Sequence, residues 1–179
     1  MITITRKKIT GRQYAVLIFA AVLCVALSFL TLPVQAASTA TVTATVTVQN
    51  VSVSVSDGSV SYGTLGTSSN ANTASGDLDD SQTATNNGNV SEDFNIRGAD
   101  TSAWTLAVSI GADQYKHDFC TSDCDGTPTW TALTTSYQTL SSSVSASGTQ
   151  VFDLRLNTPS SSSSYSEQSA DVTVQAVAS

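Results

Sequence analysis

The chain has 179 residues, with 14 acidic and 7 basic side chains and a formal net charge of −7. Four of the basic residues lie before residue 13, so residues 37–179 carry a net charge of 3 − 14 = −11. Such a surface repels nucleic acid and anionic membranes, which excludes both as partners of this part of the chain. Serine and threonine are abundant and helix-forming residues are scarce, which favours an all-β fold.

The first 36 residues have the organisation of a signal peptide. A basic stretch at 6–12 precedes an uncharged run from Tyr14 to Leu32, and Val34-Gln35-Ala36 gives a small-residue cleavage pattern. We therefore predict that these residues are removed on export and that 37–179 is secreted or held at the cell surface, with no membrane contact after cleavage. The alternative is an uncleaved anchor, because the uncharged run is nearly long enough to span a bilayer.

Residues 37–48 alternate between threonine and apolar side chains, the latter at Val42, Ala44, Val46 and Val48. A period of two is that of a strand, so this stretch predicts a long strand directly after the cleavage site. Such a strand can be the first strand of the domain. It can also be exchanged, by adding to the sheet edge of a neighbouring copy.

A turn signal follows this strand. Asp57-Gly58 is typical of a two-residue hairpin, and the pattern around it pairs Val55 with Val60 and Val53 with Tyr62. Both pairs join apolar residues, which favours this register.

The stretch that organises the predicted fold is 104–110, where every even position is large and apolar. We expect it to be the central strand, between a polar loop at 63–82 and a long excursion at 111–129. Further strands are expected at 90–97, 151–156 and 170–178. Together these elements predict an all-β fold, a two-layer antiparallel β-sandwich (Ig-like or jelly-roll) of about eight strands, with 37–179 as a single domain.

The predicted core collects the inward-facing residues of these strands. It consists of Phe94, Ile96, Trp104, Leu106, Val108, Ile110, Phe152, Leu154, Leu156, Val172 and Val174. Trp130 and Leu133 are expected to return to the same core after the excursion.

Two features resemble known surface domains. Asp93-Phe94-Asn95-Ile96-Arg97-Gly98 followed by Trp104-Thr105-Leu106-Ala107-Val108 resembles the D-x-R-G and W-x-L-x-V stretch of WxL-type bacterial surface domains. Asn87-Gly88-Asn89, the stretch from Gly148 to Leu154 and Pro159 are similar to the pattern of bacterial Ig-like surface modules. A signal peptide before a polar sandwich is also similar to secreted jelly-roll fibre subunits of the camelysin type. These resemblances imply a cell-wall, surface or matrix role.

Cys120 and Cys124 are the only cysteines in 37–179. In an exported chain they predict a disulfide, and Thr121-Ser122-Asp123 permits the tight turn that it needs. His117 could join both thiolates around a metal ion. A structural zinc site needs a fourth ligand, however, and oxidation competes with metal binding outside the cell, so the disulfide is expected.

Two acidic clusters, at 77–80 and 118–125, contain the loop carboxylates that calcium prefers. Asp123-Cys124-Asp125-Gly126 matches part of a calcium loop, but Ala132 stands where the bidentate acid of such a loop belongs. We expect solvated acidic loops and no cofactor, with calcium as the alternative.

The sequence contains none of the common catalytic motifs, and its single histidine leaves a Ser-His-Asp triad dependent on one position. We therefore predict that the protein is not an enzyme. The first functional hypothesis is a structural subunit of the bacterial cell surface or extracellular matrix that self-associates through 37–48. The second is a small adhesin or cell-wall or glycan-binding module that uses loops 63–82 and 111–129, with Tyr115 and Trp130 as candidates for stacking on sugar rings.

Overall fold

The computed structural model describes residues 11–12, 39–56 and 58–179. The predicted signal peptide, apart from residues 11–12, and Asp57 of the predicted hairpin lie outside the described residues. Within the described parts, no helix is long and apolar enough to cross a membrane. The chain divides into two compact units, 1–46 and 47–179, and all the strands lie in the second.

The described residues form ten strands, numbered here in chain order. They are β1 (Val53–Val55), β2 (Asn70–Asn72), β3 (Gln82–Asn86), β4 (Glu92–Gly98), β5 (Thr105–Leu106), β6 (Gln114–Cys120), β7 (Thr131–Ala132), β8 (Gln138–Val144), β9 (Thr149–Asn157) and β10 (Val172–Ala178).

The strands form two sheets. The seven-stranded sheet has the order β1-β3-β9-β6-β5, with β2 added beside β9 and β7 beside β6, and the three-stranded sheet has the order β10-β4-β8. All pairs are antiparallel except β5 with β6, which is parallel. The predicted all-β sandwich is therefore confirmed, with ten strands where about eight were expected.

Alternating apolar side chains build the core between the sheets. In β9 the even positions Phe152, Leu154 and Leu156 are buried, and in β4 the same holds for Phe94 and Ile96. A period of two puts each set on one face of its strand. The buried cluster consists of Ala84, Phe94, Ile96, Leu106, Tyr115, Phe119, Leu133, Leu140, Val144, Phe152, Leu154 and Leu156. Trp104, Val172 and Val174 are partly buried against it.

The prediction that 104–110 forms the central strand is wrong. Strand β5 ends at Leu106 and pairs only with β6, at the margin of the larger sheet. Beyond it, Val108 is 66% exposed and Ile110 is 38% exposed, although both were predicted to lie in the core. The physical reason is that the chain turns back at Gly111, which pairs with Gln114, so β5 does not continue through 108–110.

Two predicted loops contain strands instead. The excursion at 111–129 includes β6, which lies between β9 and β5 in the larger sheet. The polar stretch 63–82 includes β2, where Ala71 is 6% exposed. The predicted hairpin is also wrong, because β1 pairs with β3, with Val53 opposite Asn86 and Val55 opposite Ala84.

The predicted N-terminal strand is not formed in the described residues 39–48, none of which belongs to a strand. Its valines face solvent: Val42 and Val46 are each 90% exposed and Val48 is 80% exposed. In the described structure these residues therefore do not form the first strand of the sandwich. We refer below to 39–48 as the terminal segment.

Candidate functional site

Asp118 is the centre of a charged cluster on the outer face of the larger sheet. Its side chain is 0% exposed. Arg155 donates to Oδ2 from Nε at 3.1 Å and from Nη2 at 2.8 Å, and Asn157 donates to the same oxygen from Nδ2 at 3.1 Å. Lys116 places Nζ 2.9 Å from Oδ1, as an ion pair without hydrogen-bond alignment. A buried carboxylate is stable in this setting because two cations and an amide compensate its charge.

Strand register places these groups together. Asp118 of β6 lies opposite Arg155 of β9, and Lys116 lies opposite Asn157. Directly opposite residues on one face of an antiparallel pair interact most closely. The Arg155 guanidinium also lies over the ring of Trp130, with its carbon 4.7 Å from the ring centroid. Trp130, expected in the core, therefore helps to cover this outer cluster.

The inner face of β6 contains a second polar group. His117 is 1% exposed, and its Nε2 lies 2.9 Å from the hydroxyl of Tyr62. Burial lowers the pKa of His117 from 6.5 to about 4, against a smaller opposing effect of Asp118. Burial likewise raises the pKa of the Tyr62 hydroxyl. The imidazole is therefore neutral at pH 7 and packs as part of the core.

His117 was expected in the loop 111–129 but lies in β6. It cannot share a metal ion with two cysteine thiolates, because the two cysteines are joined to each other. Cys120 and Cys124 form the predicted disulfide, with a Cα–Cα distance of 5.9 Å. The positive φ of Asp123, 51°, helps the chain to close the tight turn between them. In the described residues no group of three or more His, Cys, Asp or Glu side chains is arranged to hold a metal ion.

An open cleft of about 280 Å³ lies beside the disulfide. Three carboxylates line it, those of Asp123, Asp125 and Asp153, together with Ser81 and Val151. Asp153 is 4% exposed and accepts hydrogen bonds at 2.7 Å from the hydroxyls of Thr73 and Ser81.

The loop carboxylates of the cleft also have protein partners. Asp125 accepts a hydrogen bond from the backbone N–H of Ser75 at 2.6 Å, and Asp123 accepts one from Thr127 at 3.1 Å. These carboxylates therefore hold loops together.

The aromatic residues proposed for stacking on sugars are not available as a pair. Tyr115 is 0% exposed, and its hydroxyl donates to the backbone carbonyl of Ala99. Its ring lies 6.2 Å from that of Trp104, between ring centroids. Trp104 is partly buried, and its Nε1 donates to the hydroxyl of Ser162 at 2.8 Å. Both rings therefore serve the packing at the β5 end of the larger sheet.

The second candidate site is the terminal segment. It is uncharged and its valines are exposed, whereas the cluster is charged and its central Asp118 is buried. Alternating threonine and apolar residues make it uncharged. Its last residue, Val48, accepts a hydrogen bond at its carbonyl from Asn89 Nδ2 at 2.9 Å, and Asn50 donates from its backbone N–H to Asn89 Oδ1 at 2.8 Å. These contacts hold Val48 and Asn50 against Asn89.

The sequence reasoning did not find the charged cluster. Its signal was present: only three basic residues occur in 37–179, and two of them, Lys116 and Arg155, meet at Asp118. What was missing was the register of β6 against β9, which sequence patterning did not reveal.

Comparison of the chain with protein-family models, with curated proteins and with solved structures gives no match. The resemblance to WxL-type and Ig-like surface domains therefore stays a prediction.

Proposed function

We propose that this protein is a structural subunit of the bacterial cell surface or extracellular matrix, without enzymatic activity, that self-associates by exchange of its N-terminal strand at 37–48. On this proposal the signal peptide at 1–36 is removed and the remaining chain is secreted or held at the cell surface. The observation that carries the proposal is the exposure of Val42, Val46 and Val48 in a segment whose sequence has the period of a strand.

The physical argument is that the terminal segment has the sequence of a strand but no neighbouring strand to pair with in the described structure. A β-branched alternating segment gains little by remaining extended in water, because its valines and its backbone groups have no sheet to join. Adding it to the sheet edge of a second copy would satisfy the backbone and cover one row of side chains. If each copy donates its segment to one neighbour and receives a segment from another, the contact is heterologous, and copies continue head to tail into a filament where the rotation between them does not close a ring.

Charge distribution supports the same interpretation. Residues 37–179 carry a net charge of −11, which opposes association of identical surfaces. The terminal segment contains no charged side chain, so it is a part of the surface that can approach another copy without that repulsion at close range.

The adhesin alternative has weaker support. Of its two candidate aromatic residues, Tyr115 is fully buried and Trp130 is engaged by Arg155. The 7 residues of β6 occupy part of its loop 111–129, and its loop 63–82 includes the buried Ala71.

The proposal is tested by light scattering and negative-stain microscopy of 37–179 over a range of protein concentrations. We expect particles that grow with concentration and filaments in the images. The double variant Ala44→Pro/Val46→Pro should remain monomeric, because proline removes two ladder donors and leaves the net charge unchanged.

Ala44→Val is the matched control, since it keeps the alternation and the backbone donors and should assemble like the parent chain. A parent chain that stays monomeric at every concentration would contradict the proposed function. So would a double-proline variant that forms the same filaments.

A further inference from the structure

We infer that the free edge of β10 is the acceptor site, and that it receives residues 42–48 of a second copy of this chain. This inference rests on the proposed function and deepens it, because it names the surface at which the exchanged segment binds.

Strand β10 has one occupied edge and one free edge. It pairs antiparallel with β4 along its whole length, and no other strand of the described chain pairs with it. Ser179, just beyond β10, donates from its backbone N–H to the carbonyl of Ser91 at 3.1 Å. Hydrogen-bonded pairs alternate along an antiparallel ladder, so the odd positions of β10 bond to β4. The backbone groups of Val172, Val174, Ala176 and Ala178 therefore point to the free edge.

The sequence of this edge lacks the usual protection against strand addition. Strand β10 reads Val-Thr-Val-Gln-Ala-Val-Ala, with no charge and no proline, over 7 residues. Its register against β4 runs without a bulge. Exposed edges of natural sheets are normally shortened, bulged or charged, because a long regular edge invites another strand.

The other edges of the two sheets are protected in these ways. Strand β8, the opposite edge of the same sheet, has register shifts against β4, and Ser143 within it has a positive φ of 54°. In the larger sheet, the marginal strands β1, β2, β5 and β7 have only 3, 3, 2 and 2 residues. Among the described strands, β10 is thus the edge best suited to receive a partner.

The terminal segment matches this edge in length and pattern. Residues 42–48 are as long as β10, and in both stretches every even position is valine or alanine. The odd positions are polar in both, apart from Val177 of β10. Val172, Val174 and Ala176 are only partly buried against the core. A strand laid along their edge would extend the inner face with Val42, Ala44, Val46 and Val48. Its threonines would then share the outer face with Thr173 and Gln175.

Cross-linking between two variants that each carry one added cysteine tests the contact directly. Thr45→Cys and Gln175→Cys introduce cysteines at outward-facing positions of the donor and acceptor strands, while Cys120 and Cys124 remain joined. The two variants are mixed, allowed to assemble and oxidised, and the linked peptides are identified by mass spectrometry. We expect a 45–175 link between different copies, whereas a Thr139→Cys variant on β8 should give no link to position 45.

Charge on the two edges of the smaller sheet provides an independent test. The variant Thr173→Lys/Gln175→Lys places two charges on the exposed face of β10, and Thr139→Lys/Ser142→Lys places the same two charges on β8. Because the added charge is equal, a general electrostatic effect changes both alike. We expect filaments to be lost with the first variant and kept with the second, with both variants folded by circular dichroism.

The outcomes separate the two proposals. Filaments that survive charges on β10, without a 45–175 link, would overturn the acceptor assignment and leave the proposed function standing. A chain that never assembles would overturn both. A link obtained only when both cysteines are in one chain, and absent from the mixture, would mean that the segment folds back on its own sheet, which also overturns the inference.

Discussion

Strand β6 and the terminal segment both have the alternation of a strand, but β6 is largely buried and the terminal segment is exposed. Strand β6 contains lysine, histidine and aspartate, yet its last four residues, His117 to Cys120, are all buried. The terminal segment contains only threonine, alanine and valine, yet its valines are 80 to 90% exposed.

The difference teaches that, in this protein, a side chain is buried where a neighbouring strand supplies partners for it, whether or not the side chain is apolar. The polar side chains of β6 are covered because opposing residues satisfy them: Arg155 and Asn157 bind Asp118, and Tyr62 binds His117. The apolar side chains of the segment remain exposed because, in the described chain, no strand lies beside them. The predictions below test each side of this contrast, beginning with the largest effect.

Removing a partner from the charged cluster should have the largest effect. Arg155→Ala leaves the fully buried Asp118 with the Lys116 ion pair and the Asn157 amide alone, which we expect to lower the free energy of unfolding by about 4 kcal/mol. Arg97→Ala is the matched control: Arg97 is exposed and stacks on Tyr137, at 4.9 Å from the ring centroid, so its loss should cost less than about 1 kcal/mol. Urea denaturation measures both. Equal losses would show that the cluster is not what makes a polar β6 stable.

The end of β5 separates a buried residue from an exposed one of similar chemistry. Leu106 is 9% exposed and Val108 is 66% exposed. Leu106→Ala should lower the free energy of unfolding by about 3 kcal/mol, whereas Val108→Ala should change it by less than about 0.5 kcal/mol. Thermal or urea unfolding checks the pair. A loss at Val108 comparable to that at Leu106 would restore 104–110 as a continuous core strand.

The buried imidazole predicts a pH dependence. The folded-state pKa of His117, about 4, lies below its ordinary value of 6.5, so the unfolded chain binds a proton first as the pH falls. The stability contributed by the neutral ring is complete well above pH 6.5 and is lost progressively towards pH 4, by about 3 kcal/mol in total. Unfolding curves at intervals across this range measure it.

His117→Gln is the control for that dependence, because an amide keeps a polar contact to Tyr62 and does not titrate. The slope between pH 6.5 and 4.5 should be nearly absent in this variant. Asp93 and Asp113, whose pKa values are lowered by hydrogen bonds from the backbone N–H groups of Ser143 and Ser163, act below pH 3.8 and outside this window. An unchanged slope in the variant would assign the dependence to another group.

The disulfide should have the smallest effect of the four. It joins residues that are 4 apart in sequence, so the loop that it closes is short. Cys120→Ser/Cys124→Ser should lower the free energy of unfolding by about 2 kcal/mol on the loop-entropy model. Thermal unfolding of the variant, beside the parent chain with and without reductant, measures this. A variant that fails to fold would show that the bond holds the domain and not only the loop.

Sequence patterning predicted those parts of the fold in which apolar alternation and burial coincide. In β9, Phe152, Leu154 and Leu156 carry a period of two without interruption, and β4 repeats it. Strand β6 has the same period in Tyr115, His117 and Phe119, but the charges between them are typical of a loop until their cross-strand partners are known.

The prediction for 104–110 was wrong because apolar alternation in this stretch does not coincide with burial. Alternation predicts a strand, but the position of that strand in a sheet depends on its neighbours, and a marginal strand has a covering layer only where the chain continues over it. Leu106 has such cover and Val108 does not. The candidate site at Asp118 was hidden in the same way, since it exists only through the register of β6 with β9.

Hydrogen–deuterium exchange at 42–48, followed across protein concentration, tests most directly whether this segment forms a strand only with a second copy. We predict fast exchange at low concentration, and slow exchange in the segment and in the even-numbered residues of β10 once filaments form. Exchange that stays fast in the assembled protein would contradict the account. Protection already complete in the monomer would contradict it equally, because the segment would then have its partner within its own chain.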